Sequence, residues 1–149
     1  MATMDDLSTI LLVEDNPDDV ELMVYAFKKA GIVNPIIAVD DGEKAMDYVH
    51  GRFAYADRRE FPVHGIILLD LKLPRRSGFE VLEAVRATEA TRRVPVVVLT
   101  SSNQQDDIRR AYDMGANSYL VKPISRDALT AMARSLDAFW MKLNQSVAS

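Results

Sequence analysis

Five short runs of large apolar residues punctuate the chain: TILLV at 9–13, PIIAV at 35–39, GIILLD at 65–70, VPVVVLTS at 94–101 and SYLV at 118–121. Each is too compact for a helix and has little polar alternation, so each reads as a strand buried on both faces, as in a parallel sheet. Between the runs the period changes. Val20, Met23, Val24 and Phe27 fall at i, i+3, i+4 and i+7, with Asn16-Pro17 ahead as cap and first turn and Gly31 behind as terminator. Similar patterns predict helices over Gly42 to His50, Ser77 to Thr88, Gln104 to Met114 and Ser125 to Leu143. The alternation predicts an α/β fold of the (βα)5 kind, a doubly wound five-stranded parallel sheet with right-handed crossovers placing helices on both faces.

In such sheets ligands bind beyond the carboxyl ends of the strands. The residues there are Glu14-Asp15 after the first run, Asp70 after the third, Thr100-Ser101 at the end of the fourth and Lys122-Pro123 after the fifth. Glu14, Asp15 and Asp70 brought together would repel by several kcal/mol per close pair at an effective dielectric of ~20, so a cation belongs among them. Hard oxygen donors with neither His nor Cys nearby suit Mg²⁺. A carboxylate can also attack phosphorus, and phosphoryl transfer needs in-line positioning and charge neutralisation, which a metal and Lys122 could supply. Thr100 adds a hydroxyl donor. Taken singly, these features have plainer readings: EDNPDD as a helix cap, with Asp18 and Asp19 assigned to the helix dipole, Lys-Pro as a turn and TSSN as a cap. Asp70 is harder to dismiss, because an ionised group beside a buried strand is costly unless paired or metal-bound.

Composition narrows the classes. A chain of 149 residues, 48% hydrophobic and 27% charged, fits one globular domain. The net charge of -4 argues against non-specific nucleic-acid binding, and the lack of cysteine excludes disulfides and thiolate chemistry. The acidic, polar start MATMDDLS and the lack of a long apolar run give no membrane signal, so the expected location is cytoplasmic.

The motifs ILLVEDN, ILLDLKLPRRSGFEVL, VPVVVLTSS and GANSYLVKP, in this order and spacing, resemble the receiver domain of two-component response regulators. The resemblance runs from Thr9 to about Leu143 and implies a flavodoxin-like receiver fold over 9–143, strand order 2-1-3-4-5, between tails at 1–8 and 144–149. It implies that Asp70 accepts phosphate from a sensor histidine kinase, and that Asp15 and Asp70 ligate Mg²⁺ with the main-chain carbonyl of Lys72 while Glu14 acts through a metal-bound water. Lys122 would pair with the phosphoryl group, placed by a cis Lys122-Pro123 bond. Thr100 would move toward the phosphoryl group and Tyr119 turn inward, changing the face made by the fourth helix, fifth strand and fifth helix; Lys72 and Ser102 sit where phosphate lifetime is tuned. Without the resemblance, Tyr119 reads as a strand tyrosine packed on a helix.

The last predicted helix carries Leu129, Met132, Ala133, Leu136, Trp140 and Leu143 as an apolar stripe, with Phe139 and Met141 around its end. Such a helix projects beyond a five-stranded sheet, and the expected consequence is a homodimer using Tyr112, Leu136, Phe139 and Trp140. A different partner, such as the kinase, is the competing use of this stripe. The chain leaves no room for a helix-turn-helix module after it, so output is expected through protein contact or onward phosphotransfer.

The long connection GRFAYADRREFPVHG, with NPIIAVDDGEKAMDYV, ILLDLKLP and the FW pair, resembles stand-alone regulators paired with bacterial phytochromes, which suggests a light-sensing kinase as donor. His50 and His64 read as structural. The dyads Arg58-Arg59, Arg75-Arg76, Arg92-Arg93 and Arg109-Arg110 read mostly as solvated surface, with kinase docking as the alternative. Two other functions remain in view: a phosphate-independent scaffold and an aspartate-nucleophile phosphatase. The phosphatase is disfavoured by Lys72 in place of a second aspartate, and a nucleotide-binding sheet by the lack of a glycine-rich loop after the first strand.

Overall fold

In a computed structural model that describes residues 8–63 and 65–144, without the side chain of Leu143, the five apolar runs form one parallel sheet. Its strands are β1 (Thr9–Val13), β2 (Ile36–Val39), β3 (Gly65–Leu69), β4 (Val96–Thr100) and β5 (Ser118–Val121), in the order β2-β1-β3-β4-β5. The helices are α1 (Pro17–Lys29), α2 (Gly42–His50), α3 (Gly78–Ala87), α4 (Gln105–Asp113) and α5 (Arg126–Leu136). The fold class and strand order expected from the sequence are those found. His64 and most of both expected tails lie outside the described residues.

Successive strand side chains point to opposite faces, and in β1, β3 and β4 both faces are covered, which is why these strands lack polar alternation. The expectation of burial on both faces fails at the edge strands β2 and β5, which are mostly half-buried with Ala38 and Val121 exposed, because each has a strand on one side only. Leu11, Val13, Ile67, Leu69, Val96 and Val98 join Tyr48, Leu82 and Val85 of α2 and α3 in one core. Ile10, Leu12, Ile66, Leu68, Val97 and Leu99 join Met23 and Phe27 of α1 and Leu129 and Ala133 of α5 in the other.

The sequence predicts one continuous final helix, whereas the chain widens after Leu136 into a π-helical segment, Asp137–Leu143. The wider turn places Trp140 and Met141, both half-buried, against the same core that holds Leu136.

The long connection after α2 is ordered by its own contacts. Tyr48, Tyr55 and Phe61 form an aromatic trio with centroid separations of 5.1 to 6.0 Å. Arg58 donates to the carbonyls of Tyr48 at 2.7 Å and Val49 at 2.9 Å, capping the end of α2. The expectation of a solvated dyad is therefore corrected for Arg58, whose fork satisfies helix-terminal carbonyls that water would otherwise serve. Tyr48 donates its hydroxyl to the Pro62 carbonyl at 2.6 Å, and burial, opposed weakly by Arg58, pushes its phenol up to about 12. A folded-state value above the unfolded one gives stability that is intact below the unfolded value and lost as pH rises through the folded one. Tyr48→Phe is thus expected to cost about 1 kcal/mol at neutral pH and to flatten the loss of stability between pH ~10 and ~12, read by urea unfolding across that range.

Gly78 fixes the turn that follows Asp70. Its amide donates to the Leu71 carbonyl at 2.9 Å, and a Cβ built on it would lie 2.2 Å from the Asp70 carbonyl oxygen. Gly78→Ala is expected to destabilise by about 2–3 kcal/mol, because it pushes on backbone rather than on a flexible side chain; thermal unfolding checks this.

Candidate functional site

Register builds the site. In the β1 and β3 pair Val13 stands beside Leu69, so the next residues, Glu14 and Asp70, leave the sheet side by side. The Asp70 amide donates to the Val13 carbonyl and the Glu14 amide to the Val39 carbonyl, both at 3.0 Å, so the ladder holds both acids to their first atom. Thr100 stands beside Val121 in the β4 and β5 pair, and the Lys122 amide donates to the Thr100 carbonyl at 2.8 Å. Lys122 therefore emerges on the same edge, two strands from Asp70.

The side chains converge. Lys122 Nζ donates to Glu14 Oε1, to Asp70 Oδ2 at 3.0 Å and to Asp19 Oδ2 at 3.2 Å. Asp70 Oδ1 accepts from the Lys72 amide at 3.3 Å, and Glu14 Oε2 accepts from the Asn16 amide at 3.2 Å. Glu14 is 3% exposed and Asp70 7%, whereas Asp15 is exposed to solvent. Burial raises the Glu14 carboxyl above its ordinary value, and nearby Asp70 adds to this, against the hydrogen bonds from Lys122 and the Asn16 amide. Burial also opposes the charge on Lys122, but its bonds to Glu14 and Asp70 outweigh that and hold the ammonium above its ordinary range.

One carboxylate oxygen each from Glu14, Asp15 and Asp70 lie within 4.8 Å of one another. An all-oxygen set of this size, with one solvent-facing member, fits a hard divalent cation that keeps part of its water shell. The set fits Mg²⁺ by donor chemistry alone.

Thr100 is fully buried, and Ser102 links it to the expected switch residue. The Ser102 amide approaches Thr100 Oγ1 at 3.4 Å, its hydroxyl donates to Asp107 at 2.6 Å, and its carbonyl accepts from the Tyr119 hydroxyl at 3.0 Å. Tyr119 is half-buried against the α2 and α3 core.

Residues 10–134 match the response regulator receiver domain family. The chain belongs to this family. Among similar receivers, the probable methanogenesis regulatory protein FilR2 of Methanothrix harundinacea is 41% identical over 92% of this chain and 86% of its own length. Response regulator Rcp1 of Synechocystis is 35% identical over 89% of this chain and 88% of its own, and its Mn²⁺-bound crystal structure superposes with a TM-score of 0.84 at 34% identity, covering 95% and 99% of the two chains. The phosphorylated cyanobacterial phytochrome response regulator RcpA gives a TM-score of 0.86 at 33% identity, with the same coverage. The likeness to phytochrome regulators expected from the sequence is borne out.

Three expectations for this receiver change. Lys122-Pro123 is trans, the isomer of lower energy before proline, and Lys122 still reaches both buried acids. Asp19 is more than a dipole partner, because its carboxylate meets Lys122; it is the third residue of a helix that rises directly from the acidic strand end, the one clue the sequence offers. Leu136 is 8% exposed in the core beside α1 and offers no surface, since the α1 and α5 packing consumes it. Of the other expected dimer residues, Tyr112 is 49% and Phe139 52% exposed, while Trp140 is half-buried and makes an edge contact with Phe139. Lys72 is exposed beside Asp70, and His50 is exposed away from the strand ends. Among the described residues, no helix is long and apolar enough to cross a membrane.

Proposed function

We propose that this receiver is a signalling module in which Asp70 accepts a phosphoryl group from a sensor histidine kinase in a Mg²⁺-dependent reaction. The observation that carries this reading is the triple contact of Lys122 with Glu14, Asp19 and Asp70 beside the oxygen cluster of Glu14, Asp15 and Asp70. Glu14, Asp15, Asp70 and the Lys72 carbonyl would hold the cation, which when bound supplies positive charge against the phosphoryl oxygens. Asp70 Oδ1 is steadied by the Lys72 amide, and either oxygen of this carboxylate can serve as the attacking atom. Lys122 offers N–H donors to the incoming oxygens, and Thr100 a hydroxyl once it turns toward them.

The output reading follows from the Ser102 link. Movement of Thr100 would disturb the Ser102 backbone, whose carbonyl holds the Tyr119 hydroxyl, and so alter the face formed by α4, β5 and α5 over a domain of residues 9–143. Tyr112 and Phe139 would give this protein an apolar contribution to a homodimer, with Trp140 supporting Phe139. The likeness to a phytochrome response regulator favours a bacterial phytochrome as the kinase.

Incubating the full chain with a panel of autophosphorylated histidine kinases tests the donor. Rapid, Mg²⁺-dependent transfer from a phytochrome kinase is expected, and transfer from none of the panel would count against this reading.

A further inference from the structure

Lys122 touches three carboxylates, and only two come from strand ends. The third belongs to Asp19, whose Oδ2 lies 3.2 Å from Lys122 Nζ while its amide approaches Asn16 Oδ1 at 3.4 Å. Asp19 Oδ2 and Asp70 Oδ2 contact the same nitrogen, at 3.2 and 3.0 Å. The two oxygens are therefore within about 6 Å of each other, inside the screening length of physiological salt.

We propose that Asp19 is a positioning residue of the phosphoacceptor site, one that strengthens capture of the divalent cation while weakening the hold of Lys122 on the phosphoryl group that follows. This rests on the phosphoacceptor reading above. An ammonium has three N–H donors, and here they meet Glu14, Asp19 and Asp70. A phosphoryl group arriving on Asp70 brings roughly -1.5 to -2 charges and needs at least one of those donors. Asp19 then competes for the ammonium and adds like charge. A cation among Glu14, Asp15 and Asp70 meets the same carboxylate with the opposite sign, so it gains where the phosphoryl group loses.

A first-turn acid also complements the helix dipole, and that effect must be separated. Asp18 supplies the control. It lies on the same turn, is exposed, and makes no ion pair among the described residues.

The test is calorimetric titration of Mg²⁺, and then of beryllium fluoride at saturating Mg²⁺, into the full chain and into Asp18→Asn, Asp19→Asn and Asp19→Ser. Both Asp19 variants are expected to bind Mg²⁺ about three- to tenfold more weakly and beryllium fluoride about three- to tenfold more tightly, with Asp18→Asn unchanged. A variant that merely loosened the fold would lower both affinities. Any pattern other than opposite shifts at Asp19 overturns the assignment. If the unsubstituted protein binds no beryllium fluoride with Mg²⁺ present, the phosphoacceptor reading falls and takes this inference with it; if it binds and the Asp19 variants match it, the role of Asp19 alone is overturned.

Discussion

Replacing Asp70 with asparagine is expected to abolish phosphoryl uptake from acetyl phosphate, a fall of at least about a hundredfold to background, measured by intact-protein mass after incubation with Mg²⁺. The amide has nearly the shape of the carboxylate, and its one oxygen can still accept from either the Lys72 amide or Lys122 Nζ, which bond different oxygens of Asp70; the acidic site also sheds one of its crowded negative charges, so the fold persists. What is lost is the anionic nucleophile. The substituted side chain carries no oxygen able to form a stable acyl phosphate, and the site loses one of the three clustered acids that would gather a cation. A variant that still gained one phosphoryl mass would move the acceptor to another residue.

The largest effect on stability is expected at Lys122. Glu14 and Asp70 are almost fully buried, and Lys122 is their shared cation. Lys122→Met fills much of the same space but leaves two adjacent buried carboxylates unpaired, which costs about 3 kcal/mol in metal-free buffer, the lower end of the range because part of the site is open to water. Saturating Mg²⁺ should restore a large part of that loss, since a ligand that binds only the folded chain stabilises it by mass action. Urea unfolding with and without Mg²⁺ checks both halves. A loss that Mg²⁺ does not reduce would mean that the cation and the ammonium do not answer the same charge.

The reasons why some of this was legible in sequence and some was not are physical. A strand buried on both faces must be apolar throughout, so a carboxylate at its end is conspicuous, and Glu14, Asp70 and Lys122 could each be placed on one sheet edge from the end of a single run. Parallel register did the rest, by setting Glu14 beside Asp70. Contacts between elements leave no such trace. Arg58 resembles any surface arginine until the α2 terminus turns its carbonyls toward it. Arg86 is similar: it donates to the carbonyls of Gly115 at 2.9 Å and Val94 at 2.7 Å and to Asn117 Oδ1 at 2.7 Å, joining the end of α3 to the strands beyond it. Helical periodicity identifies an apolar stripe but not which of its members the core consumes, so it does not separate the buried Leu136 from the exposed Phe139. Asp19 was hidden by having two uses, since a first-turn acid satisfies the helix whether or not it also meets Lys122.

The claim on which all of this turns is that one carboxylate, placed among cation-holding acids, is the group that phosphate joins. Borohydride reduction after acetyl phosphate treatment converts an acyl phosphate into an alcohol, and peptide mapping then locates it. A single reduced residue at position 70, formed only when Mg²⁺ is present, is the predicted result; reduction at Glu14, Asp15 or any other position, or equal reduction without a divalent cation, would contradict it.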